Sequence, residues 1–493
     1  MPWLASARRS SGSGGIAGIA PDVDAYLEAA TPSARQRLRG NIHPPGTAPG
    51  IVIASPSRYE PNYYYSWVRD SALTMRTLVD DYRRGQSSDS DDEQTLWDYA
   101  ASSKAQQSQP AAQGLGEPKY NVDNSVFTDP WCRPQNDGPA LRATTLVQFA
   151  YAWVSRGGNG TVVTEYLYPI IKNDLDYVVN HWSDQTCDLW EEVRSAHFFT
   201  RFVQRMGLLV GAQLARDQNE TAVADGYTRH ADEITQSLEQ FWDTDAQIVR
   251  VSLDVALGKT NHLDCGTVMS ALHGYMNDGV YGPASDRMLA TTTALVDSFG
   301  FYPLNQVTHD NNNQTLAYAV GRYASDVYDG YHTSEGNPWF MCTNAVAEIY
   351  YRAAAQFTTD GGIDVTDVSL RAFERLGVPT ENTAAAAGID ANDDDDRVIR
   401  AGGHYALGSP GFAAIIGALL ATADGHVRQT RFHQGDPTAP LAEEFNRYTG
   451  YPQGARELTW SYASLVTVSD AYQSLKTLLQ SQAQDRPIFQ VQK

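Results

Sequence analysis

Residues 187–193 read Cys-Asp-Leu-Trp-Glu-Glu-Val, and a run with helical spacing begins soon afterwards at Phe198 and Phe199. Adjacent side chains diverge on a regular element, so we expect Glu191 and Glu192 to make different contacts. A carboxylic acid beside an indole ring is partly desolvated, which favours the protonated form that a general acid needs. The alternative is a solvated Glu pair at a helix start, and the rest of the chain decides between the two.

Apolar residues recur at helical spacing on both sides of this stretch. The pattern predicts helices at about 21–39, 92–106, 140–156, 162–182, 198–215, 219–242, 264–275, 286–299, 338–357, 366–377, 411–424 and 459–480. A further helix follows the aromatic cluster near Trp67. Roughly a dozen helices with few strand signals fit either an α/α toroid or an α-solenoid. No fixed-period repeat is present, which disfavours the solenoid. No Pro/Ser/Thr-rich linker divides the chain, so we predict one all-α domain.

Three segments between the helices predict other structure. Gly50–Pro56 predicts a short strand that enters a turn. Ser87–Glu93 is acidic and rich in serine, which predicts a solvated loop. Asp390–Asp396 is a second acidic run, and it lacks the alternating acids, central Gly and terminal Glu of a calcium loop. We therefore expect it to be a solvated loop as well.

Composition and charge exclude several classes of function. The chain has 493 residues, 42% of them hydrophobic and 11% aromatic, and a net charge of −21. Such a charge argues against nucleic acids and anionic membranes as partners. No run of about 18 apolar residues predicts a membrane span. The His and Cys residues show no metal-ligand spacing, and HExxH is absent, so we expect neither a metal nor an organic cofactor.

Signals for location and processing are sparse. Residues 1–20 are rich in Arg, Ser and Gly and lack an apolar h-region, which predicts a flexible segment rather than a legible signal peptide. Sequons at Asn159, Asn219 and Asn313 are compatible with secretion. We expect a secreted protein, with a monomer as the default state.

Charged residues lie among aromatic residues in three other places. Asn62–Leu73 joins Tyr and Trp side chains to Arg69 and Asp70 at a predicted helix start, where the pair either binds a polyhydroxylated ligand or caps the helix. Trp131–Pro139 is a loop dense in Trp, Arg, Gln, Asn and Asp, which is unusual for a mere connection. Glu443–Glu444 stands just before the last helix. Two carboxylates held across a pocket are the minimum equipment for splitting a glycosidic bond.

Seven short motifs together resemble the glucoamylases of glycoside hydrolase family fifteen, especially the fungal and yeast enzymes. They occur in family order over about residues 22–480 and comprise Gly50–Ser57, Trp67–Ser71, Gly114–Lys119, Arg133–Ala143, Asp188–Glu192, Gly336–Phe340 and Thr459–Tyr462. The stretch Asn446–Tyr451 is similar to yeast-type members. The resemblance implies an (α/α)6 barrel of six inner and six outer helices, with a pocket at one end.

The same resemblance implies an inverting exo-hydrolase. It would cleave terminal α-1,4 bonds, and α-1,6 bonds more slowly, from the non-reducing ends of starch, dextrins and maltooligosaccharides, releasing β-glucose. By position, Glu191 is the expected general acid and Glu443 the base that activates water, and an inverting pair stands about 6.5–9.5 Å apart. The acid must stay protonated while the base is ionised, so we expect a bell-shaped pH profile that favours acidic pH.

The substrate contacts implied by the resemblance fall into three groups. Residues expected to hold the terminal glucose are Arg69, Asp70, Glu192, Arg322 and the backbone carbonyl of Leu189. Residues expected to line the pocket are Tyr63, Trp67, Trp190 and Trp460. Residues expected to shape the next subsites are Trp131, Tyr328 and Trp339.

Three positions depart from the family pattern. Cys132 and Cys187 stand where relatives carry other residues; a disulfide between them is one option, and independent thiols are our expectation. Glu444 stands where Gln is usual, so it either raises the pKa of the base or points away to solvent, and we expect the latter. We predict a catalytic domain over residues 21–482, a tail at 483–493 and no starch-binding domain, which makes soluble dextrins better substrates than raw granules.

Two other functions stay open. A same-fold glucosidase could act on another linkage, such as α-1,6 in dextran or α,α-1,1 in trehalose, although Trp131, Tyr328 and Trp339 favour the α-1,4 case. A non-catalytic glycan-binding scaffold would lack one of the two carboxylates, and both Glu191 and Glu443 are present.

Overall fold

The structure is a computed structural model that describes residues 19–85, 89–254, 259, 261–386 and 397–484. The predictions for residues 1–18, for the acidic run Asp390–Asp396 and for the C-terminal tail beyond residue 484 lie outside the described residues.

Helices account for most of the regular structure in the described residues. They are α1 Pro21–Gly40, α2 Val68–Arg84, α3 Asp89–Gln107, α4 Asp137–Ser155, α5 Gly160–Val162, α6 Tyr168–His181, α7 Phe198–Asp217, α8 Thr221–Leu238, α9 Cys265–His273, α10 Asp286–Asp297, α11 Phe340–Asp360, α12 Asp367–Arg375, α13 Glu381–Ala386, α14 Pro410–Gln434 and α15 Thr459–Gln484. A π-helical turn, Val163–Leu167, joins α5 to α6.

The strands are short and form five antiparallel pairs among the described residues. They are β1 Ser66–Trp67 with β2 Lys119–Tyr120, β3 Thr186–Cys187 with β4 Arg194–Ser195, β5 Trp242–Asp243 with β6 Ile248–Val249, β7 Gly362–Asp364 with β8 His404–Ala406, and β9 Glu444–Phe445 with β10 Pro452–Gln453. Three of these pairs, β1–β2, β3–β4 and β9–β10, hold segments that precede α2, α7 and α15.

Six of the helices in the described part of the chain close an inner ring. Each packs against the next in the order α2, α4, α7, α9, α11, α15 and back to α2. These helices are buried around most of their circumference, with Leu146, Phe202 and Val346 fully enclosed. A helix that is apolar all round belongs in an interior, so the pattern of the sequence and the position of the ring agree.

Six further helices form the outer layer. The packing pairs are α3 on α2, α6 on α4, α8 on α7, α10 on α9, α14 on α11 and α1 on α15. Outer helix α8 shows the reason for its place, because its buried residues Ala224, Tyr227, Ala231, Ile234 and Leu238 form one stripe at helical spacing. The predicted all-α (α/α)6 barrel is therefore confirmed.

Two predicted segments differ from the structure. Residues 89–93 of the predicted loop Ser87–Glu93 are helical, because α3 begins at Asp89, and residues 87 and 88 lie outside the described residues. Acids in the first turn of a helix are favoured by the helix dipole. Gly50–Pro56 is not a strand. It makes a single bridge, between Val52 and Ile42. Its other backbone bonds go to separate segments, as in the bond from Thr459 N to the carbonyl of Ala54 at 2.9 Å.

Helix α14 is longer than predicted and strongly apolar. It runs from Pro410 to Gln434, and the side chain of Ser409 caps it by accepting from the backbone N–H of Phe412 at 3.2 Å. By length and composition this helix is long and apolar enough to cross a membrane. However, 61% of its most apolar 18-residue stretch is buried inside the protein. It packs against α11 and α1, as a core helix does.

Candidate active site

A cavity of 260 Å³ lies where the starts of the inner helices meet. It is lined by Ala54, Tyr63, Trp67, Arg69, Asp70, Trp131, Leu189, Trp190, Glu191, Glu192, Arg322, Tyr328, Trp339, Met341, Glu443, Leu458 and Trp460. Every site residue named from the sequence is in that set. Sequence reasoning missed Ala54, Met341 and Leu458, which are small or apolar and carry no recognisable chemistry.

Glu191 lies in the turn of the hairpin between β3 and β4. The turn is closed by a bond from Asp188 N to the carbonyl of Val193 and another from Glu191 N to the carbonyl of Asp188, both at 2.9 Å. Glu191 has a φ of 68°, in the left-handed region. That conformation costs a non-glycine residue roughly 1–3 kcal/mol and persists only where the surroundings impose it. The hairpin therefore holds Glu191 in one orientation.

A buried ion cluster beneath the hairpin supplies part of that constraint. The Oδ1 atom of Asp188 accepts from the backbone N–H groups of Glu192 at 2.8 Å and Val193 at 2.9 Å. Lys259 Nζ donates to Asp188 at 2.7 Å and to Asp264 at 2.9 Å. Burial alone would raise the pKa of Asp188, but the Lys259 charge and these donors hold it well below its usual range. Asp188 therefore stays ionised and keeps the turn closed.

The carboxyl group of Glu191 contacts the wall of the cavity. Its Oε1 atom accepts from Trp67 Nε1 at 2.6 Å and from Gln135 Nε2 at 2.9 Å. The indole that hydrogen-bonds Glu191 is thus Trp67 and not its neighbour Trp190, whose Nε1 donates to Asp264 at 2.8 Å. The Glu191 side chain is 16% exposed, so it reaches the cavity from a largely enclosed position.

Glu192 diverges from Glu191, as the sequence predicted. Its Oε1 atom accepts from Arg322 Nη2 at 2.7 Å and its Oε2 atom from Tyr323 Oη at 2.8 Å. Arg322 also makes a two-bond pair with Asp326, at 2.7 and 2.6 Å. Burial raises the pKa of Glu192, and the Arg322 charge opposes that effect. The arginine is fixed by two carboxylates, so its position at the cavity is well determined.

Arg69 and Asp70 present a donor and an acceptor to the same cavity. Arg69 Nη1 donates to Gln135 at 2.9 Å and to Asp137 at 3.0 Å. Arg69 Nε and Asp70 Oδ2 are buried and have no hydrogen-bond partner among the described residues. The side chain of Trp67, the N-cap residue of α2, makes no capping bond, and Asp70 lies in the first turn of this helix. Burial raises the pKa of Asp70 to about 6, with Arg69 opposing.

Glu443 is enclosed directly before β9. It is 1% exposed, and its Oε2 atom accepts from Tyr328 Oη at 3.1 Å and from Ala455 N at 3.2 Å. A Cβ atom added at Gly454 would lie 2.5 Å from that oxygen, so only glycine leaves room for the carboxylate. Burial raises the pKa of Glu443 to about 7, against the opposing effect of its donors.

Glu444 is buried and does not point to solvent, contrary to the sequence prediction. It is 0% exposed, because β9 pairs with β10 on one side and bridges Trp339 on the other. Its Oε2 atom accepts from Asn337 Nδ2 at 2.8 Å, and its Oε1 atom has no partner among the described residues. Burial first, and then the charge of Glu443, raise the pKa of Glu444 well above its usual range. Of the two acids, Glu443 ionises first and Glu444 keeps its proton.

Cys132 and Cys187 form a disulfide, so the expectation of independent thiols was wrong. Their Cα atoms lie 5.9 Å apart. The backbone N–H of Cys187 donates to the carbonyl of Pro134 at 2.8 Å, which brings the Trp131 loop against β3. The disulfide therefore ties the loop that carries Trp131 to the hairpin that carries Glu191. Cys265 and Cys342 are buried free thiols.

Several supporting residues escaped the sequence analysis. Gln135 lies inside a recognised motif, but nothing in the motif shows that its side chain joins Arg69 to Glu191. Lys259 and Asp264 support the hairpin from segments far away in the sequence, where no local pattern announces them. Among the described residues, no group of three or more His, Cys, Asp or Glu side chains is arranged to hold a metal ion.

Comparisons of the sequence and of the structure with known proteins find relatives of one family. A sequence model of the glycosyl hydrolases family 15 matches residues 33–470. The glucoamylase of Blastobotrys adeninivorans is 38% identical over 456 residues, which are 90% of this chain and 70% of the relative. Glucoamylase 1 of Rhizopus oryzae is 37% identical, over 91% of this chain and 71% of the relative. A solved glycoside hydrolase family 15 glucoamylase from Hypocrea jecorina aligns with a TM-score of 0.80 at 33% identity, over 92% of this chain and 73% of that one.

Proposed function

Since the chain belongs to the glycosyl hydrolases family 15, we propose that Glu191 and Glu443 are the general acid and the general base of its active site. The protein is a glycoside hydrolase of the glucan 1,4-α-glucosidase type, which hydrolyses α-glucosidic bonds of α-glucans from their chain ends. One observation carries the assignment of roles: the carboxylates of Glu191 and Glu443, which are far apart in sequence, line one cavity.

Recognition of a terminal sugar ring is supported by polar atoms of the cavity residues that lack a hydrogen-bond partner, although Arg69 Nε and Asp70 Oδ2 lie 3.5 Å apart as an ion pair. Arg69 Nε, Asp70 Oδ2 and Trp339 Nε1 are buried and have no hydrogen-bond partner among the described residues. Each such atom costs about 1–3 kcal/mol when it is left unsatisfied. A sugar ring carries hydroxyl groups that both donate and accept, which matches this mixture of donor and acceptor atoms. The rings of Trp190 and Trp339, with centroids 5.5 Å apart, add apolar surface for the faces of the sugar.

The proposed reaction is a single displacement with inversion. Glu191 gives its proton to the glycosidic oxygen while the bond from that oxygen to C1 breaks. Glu443 takes a proton from a water molecule whose oxygen bonds to C1 from the opposite face of the ring. The products are β-glucose and a shortened chain with a free 4-hydroxyl group. One proton leaves Glu443 and one returns to Glu191 before the next turnover.

The pH dependence of the base follows from its surroundings. Glu443 must be ionised to accept a proton, and burial raises its pKa to about 7 from an ordinary value near 4.3. The value of kcat/KM reports groups of the free enzyme, so it should rise with pH in this window. We therefore expect the acidic limb of the bell at higher pH than an ordinary glutamate would give.

Two isosteric variants test the assignment. E191Q and E443Q keep the shape of each side chain and remove its ability to transfer a proton, so each should lower kcat on maltoheptaose about 10²–10⁴-fold. The matched control is E335Q, which makes the same change at an exposed acid outside the cavity and should keep the parental kcat. Wild-type turnover by either E191Q or E443Q would overturn its role.

Linkage preference belongs to the same proposal. We take α-1,4 bonds as the preferred substrate and α-1,6 bonds as slower ones, with Trp131, Tyr328 and Trp339 at the cavity to shape the subsites beyond the terminal glucose. Initial rates on maltoheptaose, isomaltose and trehalose compare the three linkages. A higher rate on isomaltose or trehalose would replace this preference with one of the other same-fold activities, and binding without any hydrolysis would favour the scaffold.

We also propose an extracellular location. The Cys132–Cys187 disulfide suits an oxidising compartment. The sequon residues Asn159, Asn219 and Asn313 are all exposed, so all three are accessible for glycosylation. A fall in apparent mass after enzymatic removal of N-glycans from the natural product would support this proposal, and an unchanged mass with four free thiols would contradict it.

A further inference from the structure

Lys119 is a buried lysine without an anionic partner. It is 1% exposed and lies on β2, paired across the ladder with Trp67 of β1. Among the described residues, no acceptor hydrogen-bonds its Nζ atom and no carboxylate forms an ion pair with it. Burying an unpaired ammonium ion is unfavourable, so other groups must stabilise this one.

Four aromatic rings surround the Lys119 ammonium group. Its Nζ atom lies 3.2 Å from the ring centroid of Trp131, 4.0 Å from Phe127, 4.5 Å from Trp67 and 4.6 Å from Tyr65. The rings also pack edge to face on one another, as between Tyr65 and Phe127 at 5.1 Å. Cation–π attraction is strongest with Trp and increases on desolvation. The four rings therefore form one aromatic cage that holds a positive charge.

Two rings of the aromatic cage are also walls of the active site. Trp67 and Trp131 line the cavity, and their centroids are 6.2 Å apart. Trp67 contacts Lys119 with its ring and Glu191 with its Nε1–H, which donates at 2.6 Å. One indole thus stands between the caged ammonium and the carboxyl group of Glu191.

We propose that Lys119 is a positioning residue of the active site, whose caged positive charge acts on the carboxyl group of Glu191 across Trp67. The inference rests on the proposed function, because it takes Glu191 as the general acid. It assigns a role in the reaction to a lysine that lies behind the wall of the cavity.

The other charges near Lys119 do not substitute for this interaction. Glu117 is paired with Arg133, whose Nε donates to it at 2.7 Å, and Asp129 is the remaining nearby acid. Burial lowers the pKa of Lys119 to about 8, and the carboxylate of Glu191 is the strongest influence that opposes the lowering. Electrostatic coupling is mutual, so each charge stabilises the other.

Around Glu191 itself the facing charges are Arg69 and Asp70. Arg69 Nη2 lies 3.9 Å from Glu191 Oε1, and Arg69 is shared with Asp70 and with Asp137. Replacing Lys119 does not remove any of these charged groups. A change in pH dependence on replacing Lys119 therefore reports the lysine charge.

The test compares pH profiles of kcat/KM on maltoheptaose for wild type, K119M and K119R. A nearby positive charge favours an ionised carboxyl group, so K119M should move the alkaline limb of the profile to higher pH. K119R retains the charge and should leave the limb in place. The control is K104M, because Lys104 Nζ lies 4.9 Å from the ring of Tyr166, on the outer helix α3.

A second measurement does not depend on the folding of any Lys119 variant. The chain has six lysines, at positions 104, 119, 172, 259, 476 and 493, so carbon-13 labelling of lysine gives a countable set of NMR signals. Loss of the Glu191 carboxylate in E191Q should lower the pKa of Lys119 by about one unit relative to wild type.

The two measurements separate failure of this inference from failure of the proposed function. The role of Lys119 would be overturned if folded K119M had the same alkaline limb of the kcat/KM profile as wild type. It would also be overturned if Lys119 had the same pKa in E191Q as in wild type. Neither result would touch the acid role of Glu191, which fails only if E191Q retains wild-type turnover.

Discussion

Glu444 is the residue at which local surroundings most change ordinary chemistry. Burial and the adjacent Glu443 raise its pKa well above the usual range in the folded protein, whereas an unfolded glutamate titrates near pH 4.3. Between these two pKa values the folded state binds more protons than the unfolded state. The free energy of unfolding therefore falls as pH rises through that window.

The variant E444Q tests this account of Glu444. The amide resembles the protonated acid and keeps an oxygen for the 2.8 Å bond from Asn337. At pH 4 the variant and wild type should have similar free energies of unfolding. At pH 7 the variant should be more stable by at least about 1.4 kcal/mol, the equivalent of one pKa unit. Urea unfolding followed by circular dichroism at both pH values measures the difference, and an equal difference at both would contradict the account.

Gly454 tests the steric fit of the proposed base. Ala at this position would place its Cβ 2.5 Å from Glu443 Oε2, and displacing a catalytic group by about 1 Å costs roughly 10²-fold in rate. We expect G454A to lose activity by about that factor.

The matched control for G454A is G402A. Gly402 has the same φ of 75°, and an added Cβ there would meet nothing within 4 Å. It should share the backbone strain of an alanine at positive φ and keep the parental kcat. Equal activities for the two variants would show that Glu443 tolerates the displacement.

At the scale of elements, short hairpins position the carboxylates and the helices support the hairpins. The β3–β4 hairpin holds Glu191, and the β9–β10 hairpin is adjacent to Glu443. Hairpins with two residues per strand carry no alternating pattern, so the sequence predicted the long helices and missed these elements. The start of α3 was missed for a related reason, because acidic residues suit a solvated loop and a first helical turn equally.

The ion cluster under the β3–β4 hairpin gives the prediction at this scale. Replacing Lys259 with Met would leave Asp188 and Asp264 buried without their cation. Breaking a buried pair in this way costs about 3–5 kcal/mol. We expect K259M to lose that much stability and to lower kcat, because the hairpin that orients Glu191 depends on Asp188.

The control for K259M is K172M. Lys172 pairs with Asp176 at 2.6 Å on the surface of α6, where both side chains are substantially exposed. Surface pairs of this kind contribute about 0.3–0.5 kcal/mol. Denaturant unfolding and maltoheptaose kinetics of both variants make the comparison, and equal stabilities for K259M and K172M would rule out a structural role for the cluster.

At the scale of the whole molecule, the closed inner ring explains why one end carries the chemistry. Residues in or just before the first turns of α2, α11 and α15 line the cavity, together with the β3–β4 hairpin that precedes α7, and Asp264, the cap of α9, accepts from Trp190. Helix N-termini carry partial positive charge and favour carboxylates. Asp70, in the first turn of α2, and Asp264 therefore lie where the helix dipole favours a negative charge.

The sequence predicted best which residues belong to the site, because they lie in short motifs that occur in a fixed order. It predicted contacts between distant segments least well. Motifs placed Glu191, Arg69 and Trp339 at one site, and the cavity contains all three. Pairings such as Cys132 with Cys187 depend on how separate loops meet in the barrel. The burial of Glu444 also depends on contacts between separate segments, because β9 pairs with β10 and bridges Trp339. From the sequence alone, a charged residue is normally expected to be exposed.

The central claim is that Glu191 and Glu443 act as an inverting acid and base at the end of an α-glucan chain. Proton NMR of the product from maltoheptaose, read within the first minutes, tests it most directly, because mutarotation has not yet mixed the anomers. The account predicts β-glucose from the start, without an early burst of shorter oligosaccharides. Prompt α-glucose would mean retention of configuration, and it would contradict the role of Glu443 as the base that activates water.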